Sequence, residues 1–140
     1  MTMNIRASVR SQGSPEVRLC RPLIDSRVQQ LAYLPEEQAA VELGKVDFVT
    51  HTKHTITSRK KLEEILVQVR TDGYALNDQE LEIGLRSIAV PVRNVVGAVV
   101  AAMNVSTQAS RVSRRELIER CLPTLHAAAE RLGSQLPPSR

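Results

Sequence analysis

Three groups of side chains in this 140-residue sequence have types and spacings that could do chemistry. His51-Thr52-Lys53-His54 offers two imidazoles at i and i+3, with Cys20 or Cys121 as a third metal ligand. Nothing else stands at ligand spacing and the stretch is rich in threonine, so it reads as a solvated connector and no metal is expected. Asp78, Glu80 and Glu82 alternate as they enter a strand, which puts them on one face. They could include a general acid–base pair, but a wet sheet edge has the same pattern and is the preferred reading. Ser87 and Ser106 have no histidine near them in sequence, and there is neither a nucleophile elbow nor a Gly-rich phosphate loop. No catalytic residue and no cofactor is therefore expected.

The serines belong to the stretch Gln79–Ser110, where two runs rich in β-branched and small residues flank Arg93-Asn94-Val95-Val96-Gly97. That pattern predicts a strand, a turn and a second strand. The shortest loop places Asn94 opposite Gly97 and Arg93 opposite Ala98. Counting back, Ala89 faces Ala102, Ser87 faces Asn104 and Leu85 faces Ser106. Alternation sets these six on one face, small in the middle and polar towards one end. The other face carries Ile88, Val90, Val92, Val99, Ala101, Met103 and Val105 and must be core. The polar face either floors a pocket for a small polar ligand or is simply wet, as one side of an antiparallel sheet often is. A loop of three or five residues, which Gly97 permits, slips the register by one and dissolves the facing pairs. Arg86 is a usable carboxylate partner, but alternation puts it on the side opposite Ser87.

The elements that must position this hairpin are legible to varying degrees. Met1 to Ile5 suits the end of a strand, whereas Arg6 to Gln30 has no sustained period and is interrupted by Pro15 and Pro22. Leu34-Pro35-Glu36-Glu37 opens a helix with acids in its first turn, and Gly44 closes it. After a connector, Thr57 or Ser58 caps a second helix with Leu62, Ile65, Leu66 and Val69 at i, i+3, i+4 and i+7, stopped by Asp72-Gly73. Tyr74-Ala75-Leu76 is a short strand leading into Asn77-Asp78. Beyond the hairpin, Ser113-Arg114-Arg115-Glu116 is a capping box that starts a long helix reaching about Leu136, with Pro123 expected to bend it.

The totals exclude whole classes of function. The length allows one domain with a single core. No apolar run approaches a membrane span and no signal-peptide layout is present, so a cytoplasmic, soluble protein with its two cysteines as thiols is expected. Net charge is 19 − 15 = +4, and the surplus lies at the ends: +3 over residues 1–30 (five Arg against two acids) and +3 over residues 111–140 (six Arg against three Glu). With only Tyr33, Phe48 and Tyr74 as aromatics there is no stacking platform for single-stranded nucleic acid.

From His54 to Leu136 the sequence resembles the effector-binding domain of IclR-type bacterial transcription regulators. The resemblance is carried by HTIT, by a helix ending in VRTDGYAL, by NDQELEIGLRSIAVPVRN, by GAVVAAMNVS and by a terminal LPTLHAAAERL; the helix at LAYLPEEQ also fits. QELEIGLRSIAVPVRN and AAMNVSTQASR look most like regulators of the protocatechuate and β-ketoadipate pathway. The resemblance implies a GAF-like α/β (α+β) domain with an antiparallel sheet, flanking helices, a long C-terminal helix and a small-molecule cavity on one sheet face. The family's ligand-contacting positions fall on Asn77, Leu85, Ser87, Asn104 and Ser106. Four of these five lie on the face obtained from the register.

The resemblance further implies residues 31–140 as a partial effector-binding domain, with no winged helix-turn-helix in this chain. Residues 1–30 are an irregular segment, and within it Arg6–Gln30 departs from the family pattern. Divergence and a misread reading frame both remain open for that interval. The expected function is a sensor for a small aromatic or dicarboxylic acid, working as a homodimer or tetramer and reaching DNA only through the winged domain. The competing readings are a small acid–base enzyme using Asp78 or Glu80, and a purely structural dimerisation domain.

Overall fold

A computed structural model describes residues 2–4, 28, 31–45, 48, 50 and 52–138. The strands are β1 (Thr2–Asn4), β2 (Ala75–Asp78), β3 (Leu85–Arg93) and β4 (Val99–Gln108), forming one antiparallel sheet in the order β1-β4-β3-β2. Helices α1 (Glu36–Gly44) and α2 (Arg59–Asp72) precede β2. After β4 come α3 (Arg114–Glu116), a π-helical turn (Leu117–Cys121) and α4 (Leu122–Gly133). This is the α+β architecture expected, and the Met1–Ile5 region does supply a strand.

Local signals account for the helix ends. Pro35 stands immediately before α1, with Glu36 and Glu37 in the first turn, where the exposed amide ends favour negative charge. The Ser58 hydroxyl accepts from the amide of Lys61 and so caps α2, and Gly73, at φ 78°, takes the left-handed position that stops it. Ser113 and Glu116 form the full reciprocal capping box. Pro123 has no N–H to donate to the carbonyl four residues back. The chain answers with the wider π turn just upstream, and the helical path continues into α4.

The sheet separates two apolar layers. On one side Ile88, Val90, Val92, Ala101, Met103 and Val105 pack against Leu117, Leu125 and Ala129 of the C-terminal helical path. Val99, expected in that layer, is half-buried and stands outside it. On the other side Ala75 packs with Leu62, Leu66 and Val69 of α2, Leu43 of α1, and Val28, Leu31 and Ala32. The periodic stripe of α2 therefore covers the polar-bearing face, which is roofed.

The end of α4 is fastened to the β3–β4 turn. A Cβ on Gly133 would lie 1.9 Å from the carbonyl oxygen of Arg93, so only glycine lets the helix pass this close to the strand backbone. The Val95 amide donates to the Leu136 carbonyl at 3.2 Å, and Asn94 Nδ2 donates to the carbonyl of Pro137 at 3.4 Å.

Candidate functional site

The hairpin turn sets the register of the site, and it differs from the shortest-loop expectation. The Asn94 amide donates to the Ala98 carbonyl, and Gly97, at φ 83°, donates back to Asn94. The loop between the paired residues is thus three residues long, with Gly97 in the left-handed conformation such a loop requires. A second irregularity follows at once: Val92 pairs with Ala101 but Arg93 with Val99, leaving Val100 as an extra residue in β4. Two single-residue slips of the same sense add to two. Ser87 consequently faces Ser106 rather than Asn104, Ala89 faces Asn104 rather than Ala102, and Leu85 faces Gln108 rather than Ser106. Because side chains alternate, a slip of two leaves every one of them on its expected side of the sheet.

The resulting floor has two polar rows. Asn77, Ser87 and Ser106 stand in line across β2, β3 and β4, and the β1 backbone continues that row at Thr2. In the next row Ala75, Ala89 and Asn104 stand in line, continued by the β1 backbone at Asn4. Asn77, Ser87 and Asn104 are buried, while Ser106 and Leu85 are half-buried. All five residues singled out in the sequence therefore share one face, Leu85 one step along β3 from Ser87.

Their hydrogen bonding is unequal. Asn77 Oδ1 accepts from the Glu80 amide at 3.3 Å, closing the turn after β2. Asn104 is 8% exposed, and its Oδ1 is buried without a hydrogen-bond partner among the described residues. A buried acceptor left in that condition costs about 1–3 kcal/mol, and the large majority of such groups in folded proteins are satisfied.

A narrow cleft opens beside Asn77, walled by Val28, Ile56, Leu62 and Ile65 and bordered by Glu80. Its rim is held by the threonine-rich connector: Thr52 Oγ1 donates to the carbonyl of Gln79 at 2.6 Å, and Thr55 Oγ1 donates to that of Glu80. Gln79 itself sits at φ 61°, uncommon for a non-glycine residue, and is fixed by its amide on the Leu85 carbonyl and by the Gly84 amide on its Oε1. The apolar walls come from the α2 stripe and Ile56. Sequence periodicity marks Leu62 and Ile65 as apolar helix positions, but carries no sign that one end of the stripe borders a cleft.

The opposite face of the same strands is fully engaged. Arg86 Nε meets Asp78 Oδ1 at 2.9 Å across β2 and β3, and its Nη1 donates to the carbonyls of Val112 at 2.6 Å and Ala109 at 3.4 Å. Arg114 lies 3.8 Å from the other carboxylate oxygen. Burial pushes the Asp78 carboxyl upward, but the hydrogen bonds from Arg86 and Gln79 and the charges of Arg86 and Arg114 outweigh it and hold the pKa below 3.8. A carboxylate so committed is a poor general base. His54 lies in the exposed turn of the connector, His51 and Cys20 are outside the described residues, and no metal-binding cluster occurs among the described residues. Nor is any described helix long and apolar enough to cross a membrane.

The family model for the C-terminal region of the bacterial transcriptional regulator IclR matches residues 29–134. The chain belongs to the IclR family. The Pca regulon regulatory protein of Pseudomonas putida is 44% identical over 106 residues, a match covering 76% of this chain and 36% of that protein. The p-hydroxybenzoate hydroxylase transcriptional activator of Acinetobacter baylyi is 42% identical over 102 residues, covering 73% and 38%. Among solved structures, a double mutant of the inducer-binding domain of the Acinetobacter PobR transcription factor, in complex with 3-hydroxy benzoic acid, superposes with a TM-score of 0.77. It is 33% identical and the match covers 81% of this chain and 65% of that one. The C-terminal domain of Escherichia coli KdgR gives a TM-score of 0.71 at 35% identity, covering 78% and 66%.

This IclR-family chain thus spans little more than a third of the length of the full regulators it matches, and it corresponds to their effector-binding domain. Those relatives and structural neighbours are transcriptional regulators, not enzymes. The acid–base alternative built on Asp78 or Glu80 falls with that finding.

Proposed function

We propose that this domain senses a small aromatic or dicarboxylic acid, bound over Asn77, Leu85, Ser87, Asn104 and Ser106, for a regulator of aromatic-acid catabolism. The observation that carries the reading is the buried Asn104 amide, whose Oδ1 has no partner among the described residues, on a face that also presents Ser87. Two strand spacings of roughly 4.8 Å and two residues of roughly 3.4 Å set the Cα atoms of Asn77 and Asn104 about 12 Å apart. Two amide side chains and one ring-sized molecule fill that span. The names of two relatives, a Pca regulon regulator and a p-hydroxybenzoate hydroxylase activator, support the aromatic class.

Transmission follows from strand alternation. Asn77, Ser87 and Ser106 are followed or preceded in sequence by Asp78, Arg86 and Thr107, which point to the other side of the sheet. There Arg86 grips the carbonyl of Val112, immediately before the Ser113 cap of the C-terminal helical path. A ligand that shifts the polar rows displaces that grip, and so biases helix packing, subunit contacts and the DNA affinity of an intact regulator. We place the domain at residues 31–140 and expect it to work as a homodimer or tetramer, with DNA contact made through a winged helix-turn-helix in the intact regulator. A thermal-shift and calorimetric series with protocatechuate, 4-hydroxybenzoate and β-ketoadipate tests the sensor. Stabilisation by at least one, lost in Ser87→Val, is expected; no shift with any of them removes the aromatic-acid assignment.

A further inference from the structure

We propose that the loop from Gln79 to Gly84 is a strap that couples the α1–α2 connector to the start of the C-terminal helical path, around the edge of the sheet. The two helical layers lie on opposite faces, and the strands between them are packed on both sides. Among the described residues β2 is an edge strand, and the chain rounds that edge as it turns from β2 into β3. At one end of the loop the carbonyls of Gln79 and Glu80 accept from the hydroxyls of Thr52 and Thr55. Those threonines are themselves joined: the Thr52 amide donates to Thr55 Oγ1 at 2.8 Å, and the Thr55 amide to the Thr52 carbonyl at 3.2 Å. Ile56, next in sequence, packs into the α2 layer. At the other end the Gly84 carbonyl accepts from the Ala109 amide at 2.8 Å. Arg86, two residues on, holds the carbonyls of Ala109 and Val112, and Val112 immediately precedes the Ser113 cap.

A strap transmits a displacement only if it is stiff between its anchors, and this loop is braced from within. The Gln79 amide donates to the Leu85 carbonyl at 2.9 Å, the Gly84 amide to Gln79 Oε1 at 3.1 Å, and the Leu85 amide to the Glu82 carbonyl at 3.1 Å. Asn77 Oδ1 ties the Glu80 amide back to β2. Gln79 stands at φ 61°, a conformation that a non-glycine residue keeps only where its surroundings over-determine it. With its torsions so committed, the loop passes a movement at one anchor to the other instead of absorbing it. Asp78, just before the loop, pairs with Arg86 at 2.9 Å, so both ends converge on one guanidinium. Such coupling is reciprocal: displacing the connector repositions the helix start, and moving the helix start pulls on the connector. It needs no bound molecule and does not depend on the sensor reading.

The experiment is amide NMR and urea unfolding on the 140-residue chain without ligand. Thr55→Val keeps the shape of the side chain and removes its hydroxyl. Amide resonances are expected to shift at Val112–Leu117 as well as beside the substitution, while Val96 and Gly97 in the far turn stay unmoved. Arg86→Lys keeps a cation for Asp78 but lacks the fork that also reaches the carbonyls, and should in turn shift Thr52 and Thr55. Independent substitutions multiply their effects on the unfolding constant; here the double variant should miss that product by about threefold or more. Gln79→Gly accepts the positive φ without supplying the brace, so in that background Thr55→Val should leave Val112–Leu117 in place. Should Arg86→Lys fail to fold, Thr55→Val and Thr52→Val carry the shift test. Shifts confined to the surroundings of Thr55 overturn the inference. So does a double variant that keeps to the product within about threefold, or a shift at Val112–Leu117 that survives Gln79→Gly.

Discussion

Asn94 and Asn104 are both buried, at 5% and 8% exposure, and both belong to the β3–β4 hairpin, one in its turn and one in its second strand, yet the fold treats them in opposite ways. Asn94 Oδ1 accepts from the amides of Val96 and Ala98, and its Nδ2 donates to Pro137. It shapes the turn and ties it to the segment after α4. Asn104 has an oxygen with no protein partner among the described residues. The contrast extends to the two faces of the sheet. The side under the C-terminal helical path is apolar and complete, with Arg86 and Asp78 bonded at its margin. The side under α2 interrupts its apolar layer with an orphan amide and two serines. One face is finished by folding, and the other has hydrogen-bonding capacity in reserve.

That contrast is most severely tested on the finished face. Leu125 is 2% exposed and packed against the β3–β4 layer, so Leu125→Ala should cost about 2–5 kcal/mol in urea unfolding. Gly133→Ala drives a methyl into the backbone of Arg93 and should be of similar severity, since neither backbone can yield without moving α4. If either variant keeps native stability, the tight closure of this side is wrong. Next comes Asn94→Ala, expected to lose about 1–3 kcal/mol, because it strands the amides it served.

The margin of that face should also respond to pH. Asp78 is held below its ordinary value in the folded chain, so its ion pair with Arg86 contributes stability at pH values above the unfolded carboxylate range. That contribution is lost as pH falls through the lower folded value. The melting temperature of the native protein should therefore drop more steeply below about pH 4 than that of Asp78→Asn, with the two curves converging in acid. Parallel curves would mean that the pair contributes nothing. A smaller loss, about 1 kcal/mol, is expected for Ser113→Ala, which removes the cap of the helix that Arg86 steadies.

Sequence reasoning recovered the sides of the sheet and missed the partners across it, and both outcomes have the same origin. Alternation of Ile88, Val90 and Val92 against Ser87 and Ala89 fixes the two faces independently of how the strands meet. Facing pairs depend instead on the loop and on every bulge between it and the residue in question. Gly97 hints at a left-handed turn position, but Val100 is a valine among valines and gives no sign of being the extra residue. The face survived because the two slips summed to an even number; a single one would have turned Asn104 into the core. The helix caps, at Ser58, Gly73 and Ser113, were legible because capping is local chemistry. The π turn was not, since Pro123 predicts a disturbance without saying how the helix accommodates it. Nor does the sequence show that the Asn104 oxygen lacks a partner among the described residues, because that depends on what the neighbouring elements fail to present.

The smallest effect is the most discriminating. Leucine has the branching of asparagine, with methyl groups in place of the oxygen and the nitrogen, and on the Asn104 side it would replace an amide whose oxygen has no partner among the described residues. Removing an unsatisfied buried acceptor returns its desolvation cost, so Asn104→Leu should lie between no change and about 1 kcal/mol more stable in the absence of ligand. The same substitution at Asn94 should be destabilising. A comparison of the two single variants by urea unfolding, with and without 4-hydroxybenzoate, separates the roles: Asn94→Leu weakens the protein under both conditions, whereas Asn104→Leu reduces only the stabilisation that the ligand adds. If Asn104→Leu instead destabilises the ligand-free chain by as much as Asn94→Leu does, its oxygen is satisfied within the fold, and the distinction between the finished and the reserved face disappears.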